Sequence, residues 1–350
     1  MLQTARRTAV ITLVAGGIIV LALALWKLRI VLALLFFALI IAAAMRPGIE
    51  WLNRHRVPRA AGLALHYLVL VGLLAGAIAF AAPRALDQVD HALSPSGKAQ
   101  IARATSHSTG IKHQVLVALQ KRLKNLPTRN ALVKPATQVG LTAFEVIIGF
   151  LFTFAAAAYW IFERDKAIDV VCSLIDRPKR KLVRDTWDLI DAKLGAFVRG
   201  QVLLIGLVGT TLSLLFWAIG EPYWLLVGSF AGLVEVVPVI GPLAAGALAV
   251  TVGFTSSVHV AVLAAACVLA VRLIEDYLVM PRILGDAVGL SPLLVLVSVT
   301  AVGILFSGWA VLFAVPLAAV LVTLFDVVLR DVDPAEEDVP TVLFTRESEA

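Results

Sequence analysis

Long apolar tracts separated by polar segments follow one another along most of this chain. The first five lie at about residues 8–26, 30–45, 60–82, 140–162 and 199–219. A helix needs about 20 apolar residues to cross a hydrocarbon core of roughly 30 Å. Tracts of about this length predict an all-α polytopic membrane protein. A further apolar region, 224–329, brings the predicted number of transmembrane helices to about eight, with one or two broken or re-entrant segments.

The first interruption of that region is the stretch EVVPVIGP, from Glu235 to Pro242. Pro238 and Pro242 lack backbone donors and Gly241 adds a flexible joint, so a continuous helix is not expected there. In lipid such a break is tolerated only where neighbouring protein or a water-filled cavity supplies hydrogen-bond partners. The segment 224–254 is therefore either a kinked span or a re-entrant hairpin.

The second interruption is GILFSG, from Gly303 to Gly308, in an apolar stretch about twice as long as one crossing. The chain must turn or split there. Two broken apolar segments in one chain are typical of a transporter binding site, because unwound carbonyls and half-helix ends can bind ions or polar solutes. The alternative is that each break only shapes the packing of helices.

Polar segments divide the chain into six predicted parts. These are transmembrane helices 1–3 (1–83), an extracytoplasmic amphipathic helical segment (84–138), a fourth transmembrane helix (139–162), cytoplasmic amphipathic helices (163–198), a C-terminal transport region with broken helices (199–329) and an acidic disordered tail (330–350). Before the fifth tract, Val183, Ile190, Leu194 and Phe197 fall near one helical face. This spacing predicts a helix that lies on the membrane surface or packs under the bundle.

Basic residues beside the spans indicate the orientation. Arg6 and Arg7 precede the first span and four more arginines follow the second, against Lys27 and Arg29 on the other side. Under the positive-inside rule the N-terminus is cytoplasmic, and alternation of the spans places the C-terminus there too.

Composition agrees with the pattern. The chain is 60% hydrophobic and 15% charged, whereas soluble domains are roughly 45–50% apolar and 25% charged. The net charge of +6 does not indicate nucleic acid as a partner, because the basic residues cluster beside apolar tracts. Cys172 and Cys267 lie in unlike surroundings and no Cys/His spacing resembles a metal site, so neither a disulfide nor a metal or other cofactor is expected.

Ionisable residues inside the apolar region are the candidate chemistry. A charge near the bilayer centre costs a few kcal/mol or more and normally faces a partner or a cavity. Glu235 is one such residue, and Arg272 lies on one helical face with Glu275 and Asp276, three and four positions later. An internal ion pair is one interpretation. The other is that Arg272 leaves one carboxylate free for a cation, a proton or substrate hydroxyls.

The two interruptions and the charged stretch between them form the predicted transport pathway. Its candidate residues are Glu235, Pro238, Gly241, Pro242, Arg272, Glu275, Asp276, Pro281, Gly303 and Gly308. The sequence has no phosphate-binding G-x-x-x-x-G-K-[ST] motif and no cluster of catalytic type at the ends of spans, so an enzyme and direct ATP drive are both disfavoured.

These stretches also carry a family resemblance. The matching blocks are RPGIEWLNRHRVPRAAGLAL, FVRGQVLLIGLVG, GLVEVVPVIGPLAAG, IEDYLVMPRILGDAVGLSPLLVLVSV and GWAVLFAVPLAAVL. In their order and content they resemble the autoinducer-2 exporter family, the PerM-type permeases. The motif residues carried over are Glu235, Pro238, Gly241, Pro242, Glu275, Pro281, Gly285, Gly289 and Pro316. The chain departs from many relatives at Ser291, where they carry His, and at Asp276, where they carry Asn.

The resemblance implies about eight spanning segments with cytoplasmic ends and a homo-oligomeric assembly, with a pentamer as one candidate. It also implies transport of a small solute, since some relatives export autoinducer-2 and others exchange monovalent cations for protons. The leading hypothesis is a secondary transporter that exports a small polar solute, coupled to H⁺ or Na⁺. Its rivals are a monovalent cation/proton antiporter and a non-transporting membrane scaffold.

Overall fold

The computed structural model describes residues 2–106, 108–124, 136–238, 240–280, 290–306, 308–337 and 339. Over these residues it contains α-helices and no strand. The helices are α1 (Leu2–Lys27), α2 (Arg29–Arg54), α3 (Arg59–Leu93), α4 (Pro95–Ser106), α5 (Gly110–Lys124), α6 (Ala136–Ser173), α7 (Arg180–Ala218), α8 (Trp224–Val234), α9 (Ile240–Ser256), α10 (Val258–Ile274), α11 (Pro292–Leu305) and α12 (Ala314–Leu329). The prediction of an all-α protein is confirmed.

Five helical segments of the described chain are long and apolar enough to cross a membrane. They are Arg29–Arg54, Ile147–Ser173, Arg177–Ala218, Val258–Val279 and Ala310–Leu329. Shorter apolar helices accompany them, among them α8, α9 and most of α11. Helices of this length and composition confirm a polytopic membrane protein with broken segments.

The helix α1 lies at the edge of the bundle. Every residue of it from Thr12 onward is exposed, including Leu13 at 76% exposure and Ile18 at 63%. It packs against α2 near the turn that joins the two helices. A helix that is apolar and exposed on all sides is stable in contact with lipid or with another subunit.

The longest helix, α7, begins in the polar segment and continues into the fifth apolar tract. Its 39 residues extend about 58 Å, nearly twice the thickness of a hydrocarbon core. The predicted boundary at residue 198 therefore falls inside a continuous helix, since a helix can begin outside the apolar layer and run into it. In its polar half Leu194 and Phe197 are buried, and Ile190 packs with Leu194 against α2. This half thus packs under the bundle.

An ion-pair cluster holds the polar half of α7 against α2 and α6. We call Arg46, Arg164, Asp188 and Asp191 the Arg164 cluster. Arg164 Nε donates to Asp191 Oδ2 at 2.5 Å, and its Nη2 donates to Asp188. Arg46 Nη1 lies 3.5 Å from Asp191 Oδ2. Arg164 and Asp191 are buried. Through these contacts the cluster joins α2, α6 and α7 at one level of the bundle.

The first break reverses the chain. α8 ends at Val234 and α9 begins at Ile240. A Cβ on Gly241 would lie 1.9 Å from the carbonyl oxygen of Val234, whereas seven residues of helix would separate the two by about 10 Å. Glycine is therefore required at this position. α8 and α9 then pack in one hydrophobic cluster through Val227 and Ala249, which makes 224–254 a helical hairpin.

This hairpin packs closely on α7 and α10. A Cβ on Gly232 of α8 would lie 2.7 Å from Gly209 Cα of α7, so the two backbones are in direct contact. At the end of α9, Gly253 meets Ala261 of α10 in the same way. Small residues at helix interfaces allow such close approach, which supplies packing energy where lipid supplies no hydrophobic drive.

The second break also has the predicted position. α11 ends at Leu305, a tight 3-10 turn covers Gly308–Phe313, and α12 follows from Ala314. Val302 of α11 packs with Ala310 and Ala314, so the chain folds back here too. Val237, from the first break, packs against this cluster. The structure therefore brings the two interruptions into contact.

Candidate functional site

One arginine and three carboxylates meet beside the first break. We call Arg272, Glu235, Glu275 and Asp276 the Arg272 cluster. Arg272 Nη1 lies 3.0 Å from Glu235 Oε1 and 3.2 Å from Glu275 Oε2. Its Nη2 lies 2.9 Å from Asp276 Oδ1. The cluster joins the end of α8 to the end of α10.

Burial divides the cluster into two parts. Glu235 is 7% exposed and Glu275 is 2% exposed, whereas the Arg272 and Asp276 side chains are 31% and 42% exposed. The two glutamates therefore lie inside, and Arg272 and Asp276 face an accessible surface. A buried carboxylate is costly unless a cation, a proton or several donors compensate its charge.

A single guanidinium cannot balance three ionised carboxylates. The charges would sum to −2, with two of the negative groups buried. Glu235 and Glu275 both contact the same nitrogen, Arg272 Nη1, so the two buried carboxyl groups are neighbours. Two carboxyl groups can share a hydrogen bond only when one of them holds a proton. The arrangement is thus suited to binding a proton or a small cation in addition to Arg272.

Local backbone geometry positions these groups. Helix α8 stops just before Glu235 because Pro238 and Gly241 follow within two turns. The carbonyl of Glu235 accepts a hydrogen bond from Gln201 Nε2 of α7 at 3.3 Å. This contact satisfies part of the backbone that the break leaves open.

Glu275 and Asp276 begin a π-helical turn, Glu275–Val279, that continues α10. A π turn is wider than an α turn, and such turns are frequent at functional sites. The spacing of three and four residues from Arg272 still brings both carboxylates to the guanidinium. The predicted shared face of Arg272, Glu275 and Asp276 therefore exists.

The structure differs from the expectation that one carboxylate stays free of Arg272. Glu275 and Asp276 both contact it, through different nitrogens, because the guanidinium presents several donors in one plane. Arg272 also reaches Glu235 on another helix. The cluster therefore has an excess of negative charge, although each of its three carboxylates contacts Arg272.

The other predicted pathway residues occupy three places. Pro238, Gly241 and Pro242 form the break next to Glu235, and Gly241 is buried. Gly303 lies in the last turns of α11, where an added Cβ would meet Val311, and Gly308 begins the 3-10 turn. Pro281, Gly285 and Gly289 lie outside the described residues.

Two polar residues near the two ends of α8, Gln201 and Glu221, were not among the predicted site residues. Gln201 is a polar residue inside an apolar tract, and this contrast could have marked it in the sequence as a candidate site residue. Glu221 sits between Gly220 and Pro222, a pattern typical of an exposed turn, yet it is 3% exposed. Within the described part of the chain, no group of three or more His, Cys, Asp or Glu side chains has the geometry of a metal site.

The fold is that of a polytopic membrane protein, and buried carboxylates beside a broken helix are typical of transporters. The sequence model of one protein family, described as "AI-2E family transporter", matches residues 16–330 of this chain. The chain therefore belongs to that family. It is 26% identical over 317 residues to YueF of Bacillus subtilis (strain 168), covering 85% of each chain. It is 22% identical over 305 residues to YrrI of the same organism, covering 82% of this chain and 83% of YrrI.

A third relative comes from another organism. MT0215 of Mycobacterium tuberculosis (strain CDC 1551 / Oshkosh) is 24% identical over 309 residues, covering 84% of this chain and 82% of that protein. All three relatives carry the name "Putative transport protein". A transport role is thus what the comparisons support.

Proposed function

We propose that this protein is a secondary transporter that exports a small polar solute of the autoinducer-2 type, with the Arg272 cluster lining or gating the pathway. The observation that carries this proposal is the excess of buried negative charge at a chain reversal. Ionisable groups at membrane depth are expensive, and in membrane proteins they mark substrate or ion pathways. Broken helices that meet in the interior are the setting in which transporters bind solute.

The position of the cluster suggests which side of the membrane it serves. Glu235 is level with Gln201, and about 25 Å of helix separates Gln201 from the end of α7 at Ala218. The Arg272 cluster therefore lies toward the polar half of α7, the side predicted to be cytoplasmic. A solute leaving the cell would meet these carboxylates first.

The proposed setting is the bacterial cytoplasmic membrane, with both termini in the cytoplasm and several copies of the chain in one assembly. Basic residues around the first two spans support this orientation. The exposed apolar surface of α1 supports contact with lipid or with another copy.

Efflux from proteoliposomes tests the proposal. Autoinducer-2 is loaded inside vesicles containing the protein inserted with its polar half of α7 inward, and its loss is followed over time. Glu235→Gln and Glu275→Gln should each lose most of this efflux, because an amide cannot exchange a proton or balance a bound cation. Glu163→Gln changes an exposed carboxylate of α6 and serves as the matched control. Normal efflux in both buried variants would contradict a role for the cluster in the pathway.

A second candidate function is exchange of a monovalent cation for a proton. The position of Glu235 and Glu275 on one nitrogen of Arg272 favours it, since a cation could displace a proton held between two neighbouring buried carboxyl groups. A pH-sensitive dye inside the same vesicles would report proton movement when Na⁺ is added outside. Na⁺-driven proton movement that is lost in Glu275→Gln, without efflux of autoinducer-2, would place the antiporter first.

A further inference from the structure

A second buried carboxylate lies at the opposite end of α8. Glu221 is in the turn between α7 and α8, and its backbone N–H donates to the carbonyl of Phe216 at 2.9 Å. Gly220 and Tyr223, on either side, both have left-handed backbone conformations, with φ of +70° and +58°. Two such residues turn the chain tightly, and Glu221 is only 3% exposed.

Neither carboxylate oxygen of Glu221 has a hydrogen-bond partner among the described residues. It also takes part in none of the ion pairs found there, unlike Glu235 and Glu275. Its surroundings are the apolar cluster of α7, α8, α9 and α10, to which Phe216 belongs. The charge of an ionised Glu221 would therefore be buried without compensation.

The titratable groups that the structure describes around this turn do not supply that compensation. Tyr223 on the turn and Cys267 on α10, which interacts electrostatically with Glu221, are both neutral at pH 7. The helix α3 reaches the start of α8, where Gln88 Oε1 accepts from the backbone of Leu226. Its charged side chains in that part are all exposed: Arg84, Asp87 and Asp90.

A buried carboxyl group without a partner takes up a proton, because desolvation penalises only its charged form. Burial accordingly raises the pKa of Glu221 to about 8. At neutral pH the side chain is then a neutral acid that can give its proton to water when the turn opens. The O–H bond of the carboxyl breaks, a hydronium ion leaves, and the carboxylate remains.

We propose that Glu221 is a proton-binding group at this end of the transport region, and that the proton it exchanges drives movement of the solute. This inference rests on the proposed transport function. A mechanical link exists, because the 11 residues of α8, about 16 Å of helix, connect the Glu221 turn directly to Glu235. Charging Glu221 favours an open turn, and a shift of α8 along its axis moves Glu235 relative to Arg272.

Infrared titration tests the proton site without any transport assay. The protein in lipid is titrated between about pH 6 and pH 10, a range chosen to span about two units on each side of the raised pKa of Glu221. The carbonyl stretch of a protonated carboxyl should be present at neutral pH, disappear toward high pH, and be reduced in Glu221→Gln. Glu163→Gln should leave this part of the spectrum unchanged. A spectrum identical in wild type and Glu221→Gln overturns the proposal, because Glu221 is then ionised throughout.

Efflux with and without a proton gradient tests the coupling. Wild type should move autoinducer-2 faster when the gradient is imposed. Glu221→Gln, which has the shape of the protonated acid, should keep gradient-free efflux and lose the acceleration. Acceleration equal to wild type would overturn the coupling role. If wild type moves no solute at all, the proposed function fails, and the infrared titration still decides the proton site on its own.

Discussion

The Arg164 cluster and the Arg272 cluster are built from the same chemical groups and differ in their charge balance. Two guanidinium groups, Arg46 and Arg164, meet Asp188 and Asp191 in the first, with Glu50 and Asp165 contacting them from more exposed positions. In the second cluster one guanidinium meets two buried glutamates, Glu235 and Glu275, with Asp276 contacting it from a more exposed position.

The two clusters also differ in backbone. The Arg164 cluster joins three continuous helices, α2, α6 and α7. The Arg272 cluster lies between a helix end and a π turn, where the backbone hydrogen bonding is irregular. A balanced cluster on rigid helices fixes structure, whereas an unbalanced one beside a break can change its occupancy by a proton or a cation. The following predictions separate these two roles.

The largest effect on stability is expected from Arg164→Met. This change leaves Asp191 buried beside Asp188, with only the more distant Arg46 to compensate. Removing one partner of a buried ion pair costs about 3–5 kcal/mol. The free energy of unfolding, measured by denaturant titration in detergent, should fall by about that amount.

An exposed ion pair between the same two helices, α6 and α7, gives the control. Arg184 contacts Asp169, and both side chains are roughly half exposed. Because water screens such a pair, Arg184→Met should leave the free energy of unfolding close to that of wild type. Equal losses in the two variants would show that the Arg164 cluster holds no more energy than a surface pair, and the contrast between the clusters would then weaken.

A smaller effect is expected from Gly241→Ala, which tests the break that presents Glu235. The added Cβ would lie 1.9 Å from the Val234 carbonyl oxygen, so the reversal has to widen. Overpacking of this kind costs about 1–3 kcal/mol. Efflux of the folded protein should also fall, because Glu235 moves with the end of α8.

Gly246→Ala is the matched control on α9. Its Cβ would meet Val268 at an ordinary 3.6 Å. Alanine is also the better helix former, by about 1 kcal/mol. Gly246→Ala should therefore be at least as stable as wild type with unchanged efflux. A harmless Gly241→Ala would mean that the reversal is loose and does not position Glu235.

The sequence predicts the local part of this comparison well. Proline and glycine act on the backbone of their own turn, so Pro238 and Gly241 mark the first break without knowledge of the fold. Residues three and four apart share a helical face, which is why Arg272, Glu275 and Asp276 could be grouped in advance. Both inferences depend on interactions within one helix or one turn.

The long-range part could not be predicted from the sequence. The contact of Glu235 with Arg272 depends on how α8 and α10 pack, and 37 residues separate the two along the chain. The burial of Glu221 was hidden for the same reason, since a Gly–Glu–Pro stretch normally forms an exposed turn. Whether that turn is covered is decided by α7, α8 and α10 together.

The sharpest test of the comparison sets Glu275→Gln against Asp191→Asn. Of the two, Glu275→Gln is expected to have the smaller effect on stability. Each variant replaces one buried carboxylate with an amide of nearly the same shape. Asp191→Asn removes a partner from a balanced cluster and leaves Arg164 undercompensated, so a loss of about 3 kcal/mol or more is expected.

Glu275→Gln removes one of the excess negative charges near Arg272, while Glu235 and Asp276 still neutralise the guanidinium. The loss of a charge-assisted hydrogen bond is offset by relief of repulsion between like charges. Its free energy of unfolding should therefore fall by much less than that of Asp191→Asn, measured in the same way. A loss of about 3 kcal/mol would instead make the Arg272 cluster a structural ion pair like its counterpart. The excess charge would then need another explanation than exchange of a proton or a cation, because a group held for stability gains nothing from being left unbalanced.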